Sequence, residues 1–100
     1  LIYVTSKMGS IEDNTSGASY IYRSSKTALN QVVKSVSADL AADGLTAVVV
    51  HPGWVQTDMG GPNALIDTKT SVGGMISVID NLSSADSGKF FNYDGSPIPW

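Results

Sequence analysis

Three short β-prone runs, Leu1–Thr5, Leu45–His51 and Gly88–Asp94, stand more than thirty residues apart, and this spacing constrains the fold more than any other feature. Gaps of that length suit crossovers that carry a helix, the connection parallel strands require. Leu1-Ile2-Tyr3-Val4-Thr5 and the valines of Leu45–His51 run continuously instead of alternating with polar residues, the pattern of strands buried on both faces. After the first run, a loop rich in Gly, Ser, Asn and Asp extends from Ser6 to about Ser19. A long helix follows and ends near Asp43-Gly44, where glycine supplies the left-handed residue that closes it. Asp67 to Leu82 predicts a weaker helix, interrupted by Gly73-Gly74. The order strand, helix, strand, helix, strand predicts an α/β layered sheet with right-handed crossovers.

On the long helix, Tyr22, Lys26, Leu29, Val33, Val36 and Leu40 fall on one stripe at helical spacing, with Ala28 and Val32 widening it on one side. Four of the six are aliphatic, so the stripe is expected to face the sheet. Lys26 lies at its edge, one turn after Tyr22, and a cation on a buried face needs a partner or a cavity. A phenol is ordinarily too weak an acid to exchange protons near neutrality, and an ammonium close by favours the ionised form. A Tyr and a Lys at i and i+4 can therefore act as an acid/base pair. The plainer alternative is a packed tyrosine beside a lysine that reaches past the helix edge to water. Y-x-x-x-K recurs by chance, and the motif alone decides nothing.

Composition removes several other chemistries. The chain has 42% hydrophobic residues, no cysteine and one histidine, with a formal net charge of -3. Disulfides and thiolate metal sites are excluded, and a histidine-built metal site is not expected. There is no basic patch for nucleic acid and no apolar run long enough to span a bilayer. A soluble cytoplasmic protein is the expectation.

Two further features lie in register with the Tyr-Lys pair. The first run ends at Thr5-Ser6-Lys7-Met8-Gly9-Ser10, and the second at His51-Pro52-Gly53-Trp54-Val55-Gln56-Thr57. In a parallel sheet the carboxyl ends of the strands share one edge, where ligands bind. A serine, a Tyr/Lys helix and a Pro-Gly loop would converge there. In these motifs, and in their order, the chain resembles the short-chain dehydrogenase/reductase family over essentially its whole length. It is most like the small carbonyl reductases of the sniffer and C-factor group, to judge from YIYRSSKTALN, HPGWVQTDMGG and GKFFNYDGSPIPW.

The resemblance implies the carboxyl-terminal part of a Rossmann-type, doubly wound parallel sheet and an NAD(P)-dependent oxidoreductase acting on a carbonyl or alcohol, with NADP favoured. Tyr22 would give or take the proton at the substrate oxygen. Lys26 would support that tyrosine and bind the nicotinamide ribose, and Ser6 would bind and orient the substrate carbonyl. In many relatives this serine stands about thirteen residues before the tyrosine. Ser6 is sixteen before and Ser10 twelve before, so both stay candidates, with Ser6 preferred because Thr5-Ser6-x-x-Gly9 matches the family's strand end. Pro52, Gly53, Val55 and Thr57 would hold the nicotinamide carboxamide, and Trp54 would wall the substrate site. His51 is expected to satisfy a strand-end hydrogen bond, not to catalyse. Residues 57–66 would close over an apolar or small carbonyl compound. The long helix would contribute to a dimer or tetramer.

The family's Gly-rich dinucleotide turn is not found in these residues. The chain opens within a strand and without methionine, so residues 1–100 are expected to be the catalytic half of one domain whose dinucleotide-binding half is absent. Two other readings are a non-enzymatic signalling or interaction protein related to C-factor, and a sugar-nucleotide epimerase of the extended branch. The Pro-Gly-x-x-x-Thr loop and short tail argue against the epimerase. As an isolated polypeptide these hundred residues should be catalytically silent; NADPH-dependent carbonyl reduction by them would contradict the expectation.

Overall fold

A computed structural model describes all residues, 1–100. Three parallel strands, β1 (Ile2–Val4), β2 (Val48–His51) and β3 (Phe90–Asn92), form one sheet in the order β1-β2-β3. Helix α1 (Tyr20–Asp39) joins the first two and α2 (Thr68–Asp80) the last two. Short 3-10 turns follow β1 (Lys7–Gly9), α1 (Ala41–Asp43) and α2 (Ser84–Asp86). α1 ends at Asp39, earlier than the expected Asp43-Gly44; Gly44 does take the left-handed conformation, but it closes the 3-10 turn that follows the helix.

The core lies on both faces of β2. On one face Val33 of α1 packs with Ala47, Val49, Phe90 and Ile98, flanked by Leu29 and Val36. On the other, Val78 of α2 packs with Val48 and Val50, flanked by Met75, Leu82 and Phe91. Successive strand residues point to opposite faces, so three consecutive valines need a helix on each side, and all three are fully buried.

This arrangement departs from the sequence expectation in one respect. The strands step in a single direction across the sheet, yet α1 covers one face and α2 the other. The two parallel crossovers therefore have opposite hands, and one of them breaks the right-handed rule. The long connection from Pro52 to Asp67 allows this. It carries the chain across the carboxyl edge of the sheet before α2 begins, whereas the rule reflects helices that pack straight back onto the strands.

Three smaller expectations are also corrected. β1 is not buried on both faces: Tyr3 packs toward α1, but Ile2 and Val4 point to the other face, where no helix covers this strand, and are exposed. Ala28 and Val32 do not widen the buried stripe; Val32 is 56% exposed, and the polar Asn30 and Ser37 are buried in the helix face instead. Helix α2 runs through Gly73-Gly74 without interruption. A Cβ at Gly74 would stand 2.4 Å from the Tyr93 carbonyl oxygen, so a close approach of α2 to the chain beyond β3 explains this glycine better than a break. The tail after Gly95 returns along β3 through a bridge between Phe91 and Pro97 and buries Ile98.

An edge strand with bare apolar side chains invites pairing with other chains. Val4 is 55% exposed. Val4→Lys should lower self-association of the 100-residue polypeptide, read by light scattering at equal concentration, while its unfolding free energy changes by no more than about 0.5 kcal/mol.

Candidate active site

The turn after β1 is locked to α1 by polar contacts and by the lack of a side chain at Gly9. The Ser6 hydroxyl caps the turn by accepting the Met8 N–H at 3.1 Å. Behind it, the Thr5 hydroxyl donates to Asn30 Oδ1 at 2.7 Å, and the Thr27 hydroxyl donates to the Gly9 carbonyl at 2.8 Å. A Cβ on Gly9 would fall 2.9 Å from both the Lys26 carbonyl carbon and the Lys26 Cβ. Only glycine lets the turn touch the helix there. The contact sets the height of α1 beside the strand end, and Lys26 and Tyr22 lie one and two turns before Asn30.

Gly17, Ala18 and Ser19, which lead into α1, all have positive φ, at 71°, 62° and 54°. For Ala and Ser this backbone is strained by about 1 kcal/mol each. Ser19 makes no side-chain cap. Instead Arg23 folds back from the first turn: Nε donates to the Gly17 and Ala18 carbonyls at 3.2 and 3.1 Å, and the terminal nitrogens donate to the Met8 carbonyl and Ser16 Oγ. Tyr22 is 43% exposed. The Lys26 Nζ lies 5.7 Å from the Tyr22 ring centroid, within cation–π range, and forms no ion pair within the chain.

Beyond β2, the Ser71 hydroxyl of α2 donates to the Pro52 carbonyl at 2.6 Å, and Gly53 turns with φ of 88°. Val55 and Ile66 form a parallel bridge. In it, Ile66 N–H donates to the Trp54 carbonyl and Gln56 N–H to the Ile66 carbonyl. The N–H of Val55 consequently points away from Ile66 and has no partner within the chain. The Thr57 hydroxyl accepts Gly60 N–H at 3.1 Å and approaches the Val55 carbonyl at 3.4 Å, while Trp54 Nε1 donates to the Gly60 carbonyl. These bonds fold residues 54–60 tightly; a Cβ at Gly60 would collide with the Val55 carbonyl oxygen.

An open cleft of about 1200 Å³ runs along the carboxyl edge of the sheet. Ser6, Tyr22, Pro52, Gly53, Trp54, Val55 and Thr57 all line it. Lys26 stands behind Tyr22, off the cleft wall. The two serine candidates part company here. Both are buried, but Ser10 donates to the Pro99 carbonyl and accepts Asp13 N–H away from the cleft, whereas Ser6 is part of the cleft wall. His51 makes the strand-end hydrogen bond expected of it: Nδ1 accepts Lys7 N–H at 3.0 Å. An accepting Nδ1 implies a neutral ring protonated on Nε2. Burial first, then the Lys7 cation, hold His51 below the ordinary imidazole pKa, opposed by Asp13.

Sequence reasoning missed three supporting residues. Asn30 and Ser71 are buried polar side chains that latch the strand-end loops to α1 and α2. Arg23 was passed over inside Y-x-x-x-K. Its one sequence signal is a cation in the first helical turn, where the helix dipole disfavours positive charge.

This fold and these motifs agree with the comparisons to known proteins. The short chain dehydrogenase family matches residues 1–65, and the chain belongs to that family. C-signal of Myxococcus xanthus is 54% identical over 98 residues, covering 98% of this chain and 59% of that protein. The solved structure of carbonyl reductase Sniffer of D. melanogaster superposes with a TM-score of 0.95 at 47% identity, covering 99% of this chain and 40% of that one. NADPH-bound carbonyl reductase from chicken fatty liver gives a TM-score of 0.91 at 41% identity, over 99% of this chain and 42% of that one. The chain thus spans about half the length of the proteins it matches. No helix is long and apolar enough to cross a membrane.

Gly9→Ala should destabilise the protein by about 1–3 kcal/mol in urea unfolding, because the new methyl meets backbone that cannot yield. The His51 shift predicts an acid effect. Its folded pKa lies below the unfolded value of 6.5, so the unfolded chain binds the proton more readily. Stability should be full above pH 6.5 and fall as pH drops through the folded value. Urea midpoints measured from pH 8 to pH 5 should decline less for His51→Asn, which keeps an acceptor but cannot titrate.

Proposed function

We propose that the protein is an oxidoreductase that moves a hydride between NADP(H) and a carbonyl or alcohol carbon, with Ser6, Tyr22 and Lys26 as its proton and binding machinery. The observation that carries this reading is the convergence of Ser6, Tyr22 and the Val55 loop on one cleft, with an unpaired ammonium behind the phenol. The similarity to carbonyl reductases, one of them NADPH-bound, supports it.

The donors present fit a nicotinamide nucleoside. Val55 N–H is a partnerless donor suited to a carboxamide, and the Thr57 hydroxyl stands beside it. Lys26 has spare donors for ribose hydroxyls. Pro52 and Gly53 shape the loop that presents them. When bound, the dinucleotide supplies or accepts the hydride.

The protein residues handle the oxygen. Ser6 donates to the substrate carbonyl and stabilises the negative charge that develops on it. The Tyr22 hydroxyl gives its proton to that oxygen in reduction and takes one back in oxidation. Lys26 stabilises the charge left on the tyrosine oxygen. Trp54 and the apolar Met59 flank the place where a small or apolar carbonyl compound would sit. The exposed Ile21 and Val32 on α1 suit assembly as a dimer or tetramer.

A second reading, a signalling or interaction protein, draws on the likeness to C-signal. The two separate on Tyr22. In the complete protein, Tyr22→Phe should reduce NADPH-dependent reduction of 4-nitrobenzaldehyde by about 10²-fold or more, with melting temperature unchanged. A rate loss of less than about twofold would remove Tyr22 from proton transfer. No reduction by the wild type with any simple carbonyl would favour the signalling reading.

A further inference from the structure

Arg23 has no role in the chemistry proposed above, yet its placement is hard to explain as surface charge. It lies in the first turn of α1, where the helix dipole repels a cation, and no carboxylate pairs with it. It lines the cleft next to Tyr22. Its guanidinium is committed to backbone and hydroxyl oxygens on two separate segments. Toward the helix entry it reaches the Gly17 and Ala18 carbonyls and Ser16 Oγ; toward the β1 turn it reaches the Met8 carbonyl at 3.3 Å.

Those two segments carry the two hydroxyls of the site. Met8 is two residues beyond Ser6 and donates to its Oγ, while Gly17 and Ala18 feed directly into the helix turn that holds Tyr22. The left-handed conformation of residues 17–19 leaves the Gly17 and Ala18 carbonyls ahead of the first helical bond, which Arg23 N–H makes to the Ser19 carbonyl, and the Arg23 side chain takes up both. A guanidinium has donors spread in a plane and can serve both sides at once, whereas a lysine ammonium is a single point.

We propose that Arg23 is a positioning residue that fixes the separation of the Ser6 and Tyr22 hydroxyls across the cleft by tying the β1 turn to the left-handed entry of α1. The proposal rests on the carbonyl reductase reading for its kinetic consequence, but the tie itself is independent of that reading.

The test uses the complete protein with NADPH and 4-nitrobenzaldehyde. Arg23→Lys should lower kcat by about tenfold or more with the KM for NADPH within about twofold, since misalignment affects the reacting geometry. Its melting midpoint should stay within about 3 °C of wild type. In Arg23→Ala, about 50 mM guanidinium should restore part of the lost rate, and sodium chloride at equal ionic strength should not. Hydrogen exchange at residues 17–19 should quicken in Arg23→Ala while Val48–Val50 stay protected.

Wild-type kcat in Arg23→Lys would overturn the proposal. So would a rate loss without guanidinium rescue accompanied by lost protection in β2, the signature of a general structural role. If the wild type itself reduces no carbonyl, the functional reading fails instead, and exchange at residues 17–19 decides the tie alone: unchanged rates there overturn it.

Discussion

Close contact between the turn after β1 and the flank of α1 governs the geometry of the whole cleft. It exists because residue 9 has no side chain: any Cβ would stand 2.9 Å from Lys26 atoms that cannot move. Thr5, Thr27 and Asn30 fasten the contact with hydrogen bonds, one of them between groups buried from water. Bonds of this kind contribute about 1 kcal/mol each, and losing one partner costs more because the other is left unsatisfied and buried. Their direction matters more than their energy. They fix the rotation and height of a twenty-residue helix relative to a strand end, and with it the positions of Tyr22 and Lys26 relative to Ser6.

The second wall of the cleft follows from β2. Three valines buried on alternating faces demand a helix on each side of the sheet. Meeting that demand with three strands that step in one direction forces a change of hand between the crossovers. The chain leaving β2 must then pass over the carboxyl edge to reach the far face. Pro52, Gly53 and the Val55–Ile66 bridge are what that passage looks like locally. A requirement of core packing thus lays a loop with an unpartnered backbone donor along the same cleft as the tyrosine.

The basic side chains around the cleft show the same division of labour. Lys26 lies over the Tyr22 ring, off the cleft wall, and pairs with no anion in the chain. Arg23, three residues earlier, has its donors occupied by carbonyls. His51 is kept neutral by burial and by the cation of Lys7, and spends Nδ1 on the Lys7 amide. These three basic side chains are thus held differently, according to what each donates to or accepts from.

The sequence by itself determined the elements, their order and the parallel pairing, because hydrophobic period and long crossovers are local properties of a chain. It also determined which short motifs lie at strand ends, and so that Ser6, Tyr22 and the Pro52–Thr57 loop would share one edge of the sheet. Tertiary structure decided the rest. Helical period could not show that Asn30 is buried and Val32 bare, since those depend on what the helix is packed against. Spacing could not separate Ser6 from Ser10; the tail returning along β3 captures Ser10 through the Pro99 carbonyl and leaves Ser6 open to the cleft. The hand of the second crossover and the fold-back of Arg23 are likewise set by contacts between segments distant in the chain. Contacts of that kind leave no periodic trace in the residues that make them.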